Sequence, residues 1–271
     1  MNPRIAQLAA RPIAELPYLN ATPGRTAAEV VLPLLEGELE GLPRGLDGIL
    51  VTSDLQGRLP DDRLLGLAVP AWLAELARAG RIPALNRLGV VLCGDLFARP
   101  GSTRRGGAGD VREVWAAFAD TARWVVGTAG NHDEFGATAA DLAAFRRGVG
   151  VGFLDGNVVE RDGITIGGVA GVVGSPDRVW RRPLPAYVAA VHKVLQARPA
   201  LLVLHDGPDH LVPGYPGRAE VRALFERHPR RGVVCRGHAR WPTRLVDLTA
   251  RWQVLNADSA VVLLRGAAPV A

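Results

Sequence analysis

The sequence predicts an α/β fold with a mixed sheet, or two packed sheets, and helices on the outside. Five short apolar segments read as buried strands, and they lie at 48–54, 88–95, 124–131, 201–206 and 232–238. Segments with helical periodicity alternate with these strands, at 71–79, 111–122, 139–147, 185–197 and 218–227. Two further stretches, 157–171 and 244–265, are typical of antiparallel units, and the first is predicted to turn at Asp162 and Gly163.

The segment that precedes this alternating pattern, 1–46, is predicted to be an N-terminal helical extension. Thr26 and Glu29 stand three residues apart just ahead of the apolar run 30–35, which is the spacing of a helix-capping box. Pro33 lies within that run and would kink or interrupt the helix. The remainder, 47–271, contains no long linker rich in serine, glycine and proline, so we predict that it is a single domain.

The composition limits the classes of partner. The formal net charge is +5, and it comes almost entirely from arginine, because Lys193 is the only lysine. This charge is compatible with anionic, phosphate-bearing ligands but does not by itself indicate nucleic acid. No apolar run approaches the ~20 residues of a membrane span, and the N terminus lacks the apolar core of a signal peptide. We therefore expect a soluble, cytoplasmic protein with no membrane partner.

The two cysteines, Cys93 and Cys235, each end an apolar run. That position favours buried free thiols, and two cysteines in a chain of 271 residues do not form the dense disulfide framework of small secreted domains. Free thiols are consistent with a reducing compartment.

Each of the five predicted strands is followed by a polar side chain, and these are Asp54, Asp95, Asn131, His205 and His238. Ligands of open α/β sheets bind beyond the carboxyl ends of the strands, so these residues are predicted to meet at one edge. Carboxylate, amide and imidazole donors without thiolate suit Mn, Fe, Zn, Mg or Ni. One aspartate can bridge two such ions, and two cations about 3.5–4 Å apart can acidify a shared water and clamp a phosphoryl group.

The stretch VGTAGNHDEF, at 126–135, places three polar residues directly after an apolar run. In a phosphoryl-transfer site Asn131 would be a metal ligand and His132 would protonate the leaving oxygen. Asp133 would hold the imidazole ring and favour its charged form.

The order of these blocks resembles the calcineurin-like metallophosphoesterase superfamily. The sequence reads Asp54-x-Gln56, Gly94-Asp95, Gly130-Asn131-His132-Asp133, His205 and Gly237-His238, against DxH, GD, GNH[D/E], H and GHxH in the family. The resemblance covers 48–240. It implies a four-layer α/β/β/α sandwich with two packed mixed sheets, so that 47–271 would be the metallophosphoesterase domain.

The resemblance also implies two divalent metal ions at the rim of the sandwich. The first would be held by Asp54, Gln56 and Asp95, and the second by Asp95, Asn131, His205 and His238. Two positions depart from the pattern, because Gln56 and Arg240 stand where the family usually has histidine. Gln56 offers a neutral carbonyl oxygen, so the first ion should be held less tightly. Arg240 has no lone pair to offer a metal, but it could neutralise a substrate phosphate.

The same two departures are similar to the bis(5′-nucleosyl)-tetraphosphatase branch, and the protein-phosphatase branch also lacks the final histidine. Those branches carry a phosphate-binding arginine four residues after the bridging aspartate, and Arg99 stands at that offset from Asp95. A guanidinium binds phosphate through two parallel hydrogen bonds, so Arg99 is a candidate substrate-binding residue.

Two arginine-rich loops are candidates for substrate selection. The loop 99–112 contains Arg104 and Arg105 among glycines, and the loop 175–187 places Trp180 between Arg178 and Arg181. A tryptophan flanked by arginines can stack a base and hold phosphates. The alternative is an irregular loop whose tryptophan packs on the domain.

The sequence thus predicts a dinuclear metal-dependent phosphoester hydrolase in which a metal-bridging hydroxide attacks phosphorus in line. A phosphomonoester or nucleotide-type substrate is the first expectation, and a phosphodiesterase or nuclease acting on nucleic acid is the second. The loss of two histidines also allows a catalytically weakened protein that binds a phosphorylated ligand and regulates another process.

Overall fold

The computed structural model describes residues 3–22, 26–102, 107–148 and 150–266. In these ranges the strands are β1 (Arg4–Leu8), β2 (Ala14–Ala21), β3 (Ala27–Glu40), β4 (Gly48–Ser53), β5 (Leu88–Leu92), β6 (Gly109–Asp110), β7 (Trp124–Gly127), β8 (Asp133–Glu134), β9 (Val151–Phe153), β10 (Asn157–Arg161), β11 (Ile164–Val169), β12 (Val172–Val173), β13 (Arg181–Arg182), β14 (Leu201–Leu204), β15 (Gly232–Arg236), β16 (Leu245–Asp247), β17 (Trp252–Asn256) and β18 (Ala260–Gly266). The α-helices are α1 (Leu65–Arg78), α2 (Arg112–Ala119), α3 (Ala139–Arg146), α4 (Leu184–Gln196) and α5 (Ala219–Arg227). None of the helices within these ranges has the length and hydropathy needed to cross a bilayer.

Two large mixed sheets carry the fold. The first runs in the order β1-β3-β18-β4-β5-β7-β9, with β2 paired to β3, and the second runs β10-β11-β14-β15-β17-β16. Strands β4, β5, β7 and β9 are parallel neighbours in the first sheet, as are β11, β14, β15 and β17 in the second. The parallel strands are continuous apolar runs because both of their faces are covered.

Three apolar clusters show how the layers pack. One lies between the sheets and joins residues such as Val91 of β5 to Val203 of β14. Another lies between the first sheet and helices α1 and α2, where Trp115 is fully buried. The last lies between the second sheet and helices α4 and α5. This arrangement is the predicted α/β/β/α sandwich.

Most of the predicted elements are confirmed. The five buried strands and the five helices lie where the sequence placed them, and β10 and β11 form the predicted hairpin around Asp162 and Gly163. The second antiparallel unit, 244–265, is confirmed only in part. Strands β16 and β17 pair antiparallel, but β18 leaves for the first sheet, where it pairs with β3 and β4.

The prediction of a helical extension over 1–46 is wrong, because this segment contributes β1, β2 and β3 to the first sheet. Along β3 the side chains of Leu32 and Leu34 are buried, while Thr26 hydrogen-bonds with Thr22 rather than capping a helix. Strand β3 pairs with β18, more than 200 residues away in the chain. That distant partner outweighs the weak local helix signal, since strand formation depends on packing against neighbours.

Both cysteines are free thiols, as predicted, and both are buried in the layer between the two sheets. Burial raises the pKa of the Cys93 and Cys235 thiols, because a thiolate is disfavoured in an apolar environment.

Candidate metal centre

The ends of five parallel strands meet at one edge of the sandwich. The backbone N–H of Asp54 donates to the carbonyl of Gly94 at 2.9 Å, and the N–H of His238 donates to Asp54 Oδ2 at 2.9 Å. His205 Nδ1 lies 2.8 Å from the carbonyl of Cys93. The first contact joins neighbouring strands of the first sheet and the other two cross between the sheets, so residues far apart in sequence share one rim.

The Asp95 carboxylate stands at the centre of this rim. Its Oδ2 lies 3.2 Å from Gln56 Nε2 on one side and 3.2 Å from His205 Nε2 on the other. Its Oδ1 accepts a hydrogen bond from the backbone N–H of His132 at 2.9 Å. The structure therefore places one member of each predicted ligand set, Gln56 and His205, beside this carboxylate.

One group of side chains has the spacing of a metal site. The ligating atoms of Asp95, His205 and His238 all lie within 4.8 Å of one another. Asn131 Oδ1 is buried without a hydrogen-bond partner among the described residues, and the buried His205 Nε2 faces Asp95 Oδ2 at 3.2 Å without the geometry of a hydrogen bond. Buried polar atoms left unpaired are costly, and a divalent cation would satisfy both. These residues fit a cation of the type that the mixed N/O donor set prefers.

Asp54 and Gln56 lie on the other side of Asp95. Asp54 is buried, and its Oδ2 accepts hydrogen bonds from Ser53 Oγ at 2.7 Å and from the His238 N–H. Gln56 is half-buried, and its amide nitrogen faces Asp95. Rotation of that amide would turn the carbonyl oxygen toward the same carboxylate, so Gln56 can also serve as an oxygen donor here.

The proposed contact between Asp133 and the His132 ring is wrong. The buried Asp133 carboxylate accepts hydrogen bonds from the backbone N–H groups of Asp95, Leu96 and Gly130, at 2.7–2.8 Å. The His132 ring instead has Nε2 at 4.0 Å from Asp95 Oδ2. Asp133 lies between two strand-end loops whose buried N–H groups need acceptors, and it holds those loops together.

The backbone at the site is constrained. Asp54, Asp95 and His238 have φ angles of 54°, 58° and 71°, in the left-handed region that side chains rarely adopt. A Cβ at Gly130 would lie 2.0 Å from Asp95 Oδ1, and one at Gly237 would lie 1.9 Å from Ser53 Oγ. Only glycine fits at these two positions, which explains the glycine in Gly-Asn-His and in Gly-His.

Without a metal ion, the pKa values of three ionisable side chains at the site are shifted far from their usual values. Burial, together with repulsion from Asp258 and Asp95, raises the pKa of Asp54 to about 8. Burial opposes the charged form of His205, but the adjacent Asp95 raises the pKa of that ring to about 10. Burial and the neighbouring His205 lower the pKa of His238 to about 4. Carboxylates crowded in this way are stabilised by a bound cation.

A cavity of about 370 Å³ opens beside the rim. Its wall includes Asp54, Gln56 and His238 from the site, and Arg240 at the mouth. The Arg240 side chain is 70% exposed, and its Nε lies 3.7 Å from Asp258 Oδ1.

The predicted phosphate-binding Arg99 is exposed, and among the described residues it is not part of the cavity wall. Arg104 and Arg105, which the sequence singled out in the same loop, lie outside the described residues.

Among the cavity-wall residues that sequence reasoning missed are the polar residues Asn20, Asp258 and Ser259. Asp258 follows β17 in the same way that the predicted ligands follow their strands, and that signal could have identified it. Asn20 lies in the segment that was wrongly predicted to be helical.

Trp180 follows the packing alternative. Its Nε1 donates to the carbonyl of Asp133 at 2.8 Å, and its ring packs against Phe135 and Phe153, with centroids 5.9 Å and 5.6 Å away. The ring therefore stabilises the loop that carries His132 and Asp133.

The family model for calcineurin-like phosphoesterases matches residues 48–239. No curated protein matches the sequence. Among solved structures, phosphopantetheinyl hydrolase (PptH) from Mycobacterium tuberculosis is similar, with a TM-score of 0.44 and 15% identity over 79% of this chain and 90% of that one. The sulfate thiohydrolase SoxB from Thermus thermophilus has a TM-score of 0.39 and 16% identity over 74% of this chain and 42% of that one. Because the family match extends over most of the chain, from β4 to the Gly-His loop, the protein belongs to the calcineurin-like phosphoesterases, which are metal-dependent hydrolases acting on ester bonds.

Proposed function

We propose that the protein is a dinuclear metal-dependent hydrolase of small phosphomonoesters or nucleotide-type esters. The observation that carries this proposal is the position of Asp95 Oδ2. It lies 3.2 Å from Gln56 Nε2 and 3.2 Å from His205 Nε2. One carboxylate that faces two ligand sets is the arrangement that a bridged pair of cations requires. In this proposal one cation is held by Asp54, Gln56 and Asp95, and the other by Asp95, Asn131, His205 and His238.

Two divalent cations, with manganese as our first choice, would supply Lewis acidity toward the phosphoryl oxygens and lower the pKa of a water. We assign His132 as the general acid that donates a proton from Nε2 to the leaving oxygen. This half-buried ring reaches the rim, and among the described residues it has no hydrogen bond to a buried partner. Its Nε2 lies 4.0 Å from Asp95 Oδ2, so the ring stands beside the carboxylate at the centre of the rim.

The remaining residues orient the substrate and the ligands. Asp133 fixes the loops that carry Asp95 and Asn131 through three backbone hydrogen bonds, so it is a positioning residue. Arg240, exposed at the cavity mouth, is assigned to neutralise a phosphate oxygen. Arg99 is kept as a second candidate for that role.

A small ester is supported over a polymer by two observations. The cavity of about 370 Å³ is near the lower end of the range for small-molecule sites. Trp180, which could have stacked a base, packs on Phe135 and Phe153 instead. A nuclease would also lose affinity steeply with salt, whereas a nucleotide pocket would respond mildly.

The experiment is a hydrolysis panel of the purified protein with Mn, Fe, Zn, Mg or Ni. The substrates are phosphomonoesters, cyclic nucleotides, dinucleoside polyphosphates and single-stranded DNA or RNA, with bound metal measured in parallel. We expect two ions per chain and turnover of small esters, and loss of both with Asp95→Asn, which keeps the size of the side chain and removes its charge. Fewer than two ions at saturating manganese, with no turnover of any ester, would show a ligand-binding protein instead.

A further inference from the structure

The hairpin formed by β2 and β3 packs directly on the loop that carries Gln56. The Leu19 N–H donates to the carbonyl of Arg58 at 2.7 Å, and the Arg58 N–H donates back to the carbonyl of Leu19 at 3.0 Å. The Tyr18 ring covers Gly57 so closely that a Cβ there would lie 2.2 Å from the ring. The hairpin precedes the family match, which begins at residue 48, so this contact joins a segment outside the matched range to the candidate metal centre.

A polar network connects the hairpin to the loop after β17. Burial raises the pKa of Tyr18, and the polar side chains of Asn20 and Ser259 beside it oppose that rise. Ser259 Oγ in turn donates to Asp258 Oδ1 at 2.8 Å. Asn20, Asp258 and Ser259 all belong to the wall of the cavity beside the candidate metal centre. These three residues therefore bring polar side chains to the same cavity that Asp54, Gln56 and His238 line.

Asp258 has one carboxylate oxygen that is open to a further hydrogen bond. The residue is only 8% exposed, and no hydrogen bond from the described residues reaches its Oδ2. Arg240 is too far for a hydrogen bond, with Nε at 3.7 Å from Oδ1. Because Oδ2 accepts nothing from the described residues and the cavity opens beside it, a donor on a ligand that occupies the cavity could bond to this oxygen.

We propose that Asn20, Asp258 and Ser259 form a subsite for a hydroxyl-bearing organic group of the substrate, such as a sugar or a ribose. A hydroxyl can donate to Asp258 Oδ2 and also accept from the Asn20 amide, whereas an apolar group would leave both unpaired. Aspartate is used in the same way on ribose hydroxyls in dinucleotide sites. This inference rests on the proposed function, because it names the substrate class of the same site.

The test compares two esters that share a primary-alcohol leaving group and a similar ring size. They are glucose 6-phosphate and cyclohexylmethyl phosphate, each assayed also as its p-nitrophenyl diester. We expect the wild-type kcat/KM to favour the sugar ester at least tenfold. Asp258→Asn and Asn20→Ala should each reduce that preference about tenfold, mainly through KM of the sugar ester, which is the usual effect of one hydrogen bond to a charged group.

Asp177→Asn, on an exposed loop that is not part of the cavity wall, is the matched control and should leave the preference unchanged. Three other outcomes would contradict the subsite or the proposed function. If Asp258→Asn lost bound metal, Asp258 would be a metal ligand and the subsite would be wrong. If the wild-type protein hydrolysed bis-p-nitrophenyl phosphate but did not distinguish the paired esters, the subsite would be wrong while the proposed function stood. If it hydrolysed no ester with any metal, the proposed function would fail and the subsite with it.

Discussion

The two halves of the candidate metal centre share Asp95 and differ in almost everything else. On one side, which we call the His205 half, His205 is fully buried and the spacing of Asp95, His205 and His238 suits a cation. On the other, the Gln56 half, a half-buried amide offers a neutral donor beside an open cavity. The difference suggests that cation retention depends on the His205 half, while substrate selection depends on the surroundings of the Gln56 half.

The largest expected effect is a loss of turnover without a loss of metal from either half of the centre. His132→Ala should lower turnover by about 10²–10⁴-fold, the usual contribution of a general acid, while both halves keep their metal. Turnover of a small ester and metal content are measured on the same preparation. His192→Ala, exposed on α4, is the control and should be neutral. Unchanged activity of the His132 variant toward every hydrolysed ester would remove this residue from the mechanism.

The second prediction compares the halves directly by truncating one donor in each. His205→Ala should weaken metal binding by more than about 100-fold, because even loss of an outer partner of a ligand costs 10–100-fold. Gln56→Ala should cost only about tenfold, since a neutral amide is a weaker donor. Calorimetric titration with manganese measures both. Equal losses would mean that the two halves do not differ in strength.

A pH-dependent prediction concerns the metal-free protein. The pKa of Asp54 is raised to about 8 in the folded state and is near 3.8 when unfolded. The unfolded chain therefore releases this proton first, so stability from Asp54 is present at low pH and is lost as pH rises from about 4 through 8. Asp54→Asn removes this loss, and its advantage in the free energy of unfolding should grow by about 2 kcal/mol between pH 6 and pH 8.

Chemical denaturation of the metal-free protein at the two pH values measures this difference. An advantage that stayed the same at both pH values would show that Asp54 is ionised throughout and that its pKa is not raised. The experiment sharpens the comparison because saturating metal should cancel the effect.

The smallest expected effect is a gain. Gln56→His places an imidazole, a better donor for Mn, Fe, Zn or Ni, in the weaker half. Metal affinity of that half should rise roughly tenfold, and turnover should change less than affinity. No change in affinity would indicate that Gln56 is a polar rim residue without a metal contact.

The sequence was sufficient to predict the rim. Runs such as 88–95 are apolar until they end in a polar residue, and parallel strands bring such ends to one edge. Strand β3 could not be predicted in this way, because its partner β18 is distant and Pro33 disturbs the alternation between Leu32 and Leu34.

Two side-chain contacts were beyond sequence reasoning for a different reason. Asp133 stands next to His132 in the chain, which suggested a contact between them, but the turn directs its carboxylate to backbone N–H groups of another loop. Asp258 was overlooked because 244–265 was treated as one antiparallel unit, although the chain crosses to the other sheet between β17 and β18. Both errors come from assuming that sequence neighbours are spatial partners.

The left-handed backbone of Asp54, Asp95 and His238 has a consequence for how this protein could change. Each such conformation costs on the order of 1–3 kcal/mol, so glycine at any of the three would relax the chain while deleting a donor to the rim. Variants with higher stability should therefore often be variants that have lost activity. A selection for heat resistance that does not test activity should therefore enrich glycine at Asp54, Asp95 and His238, which are the residues that form the rim.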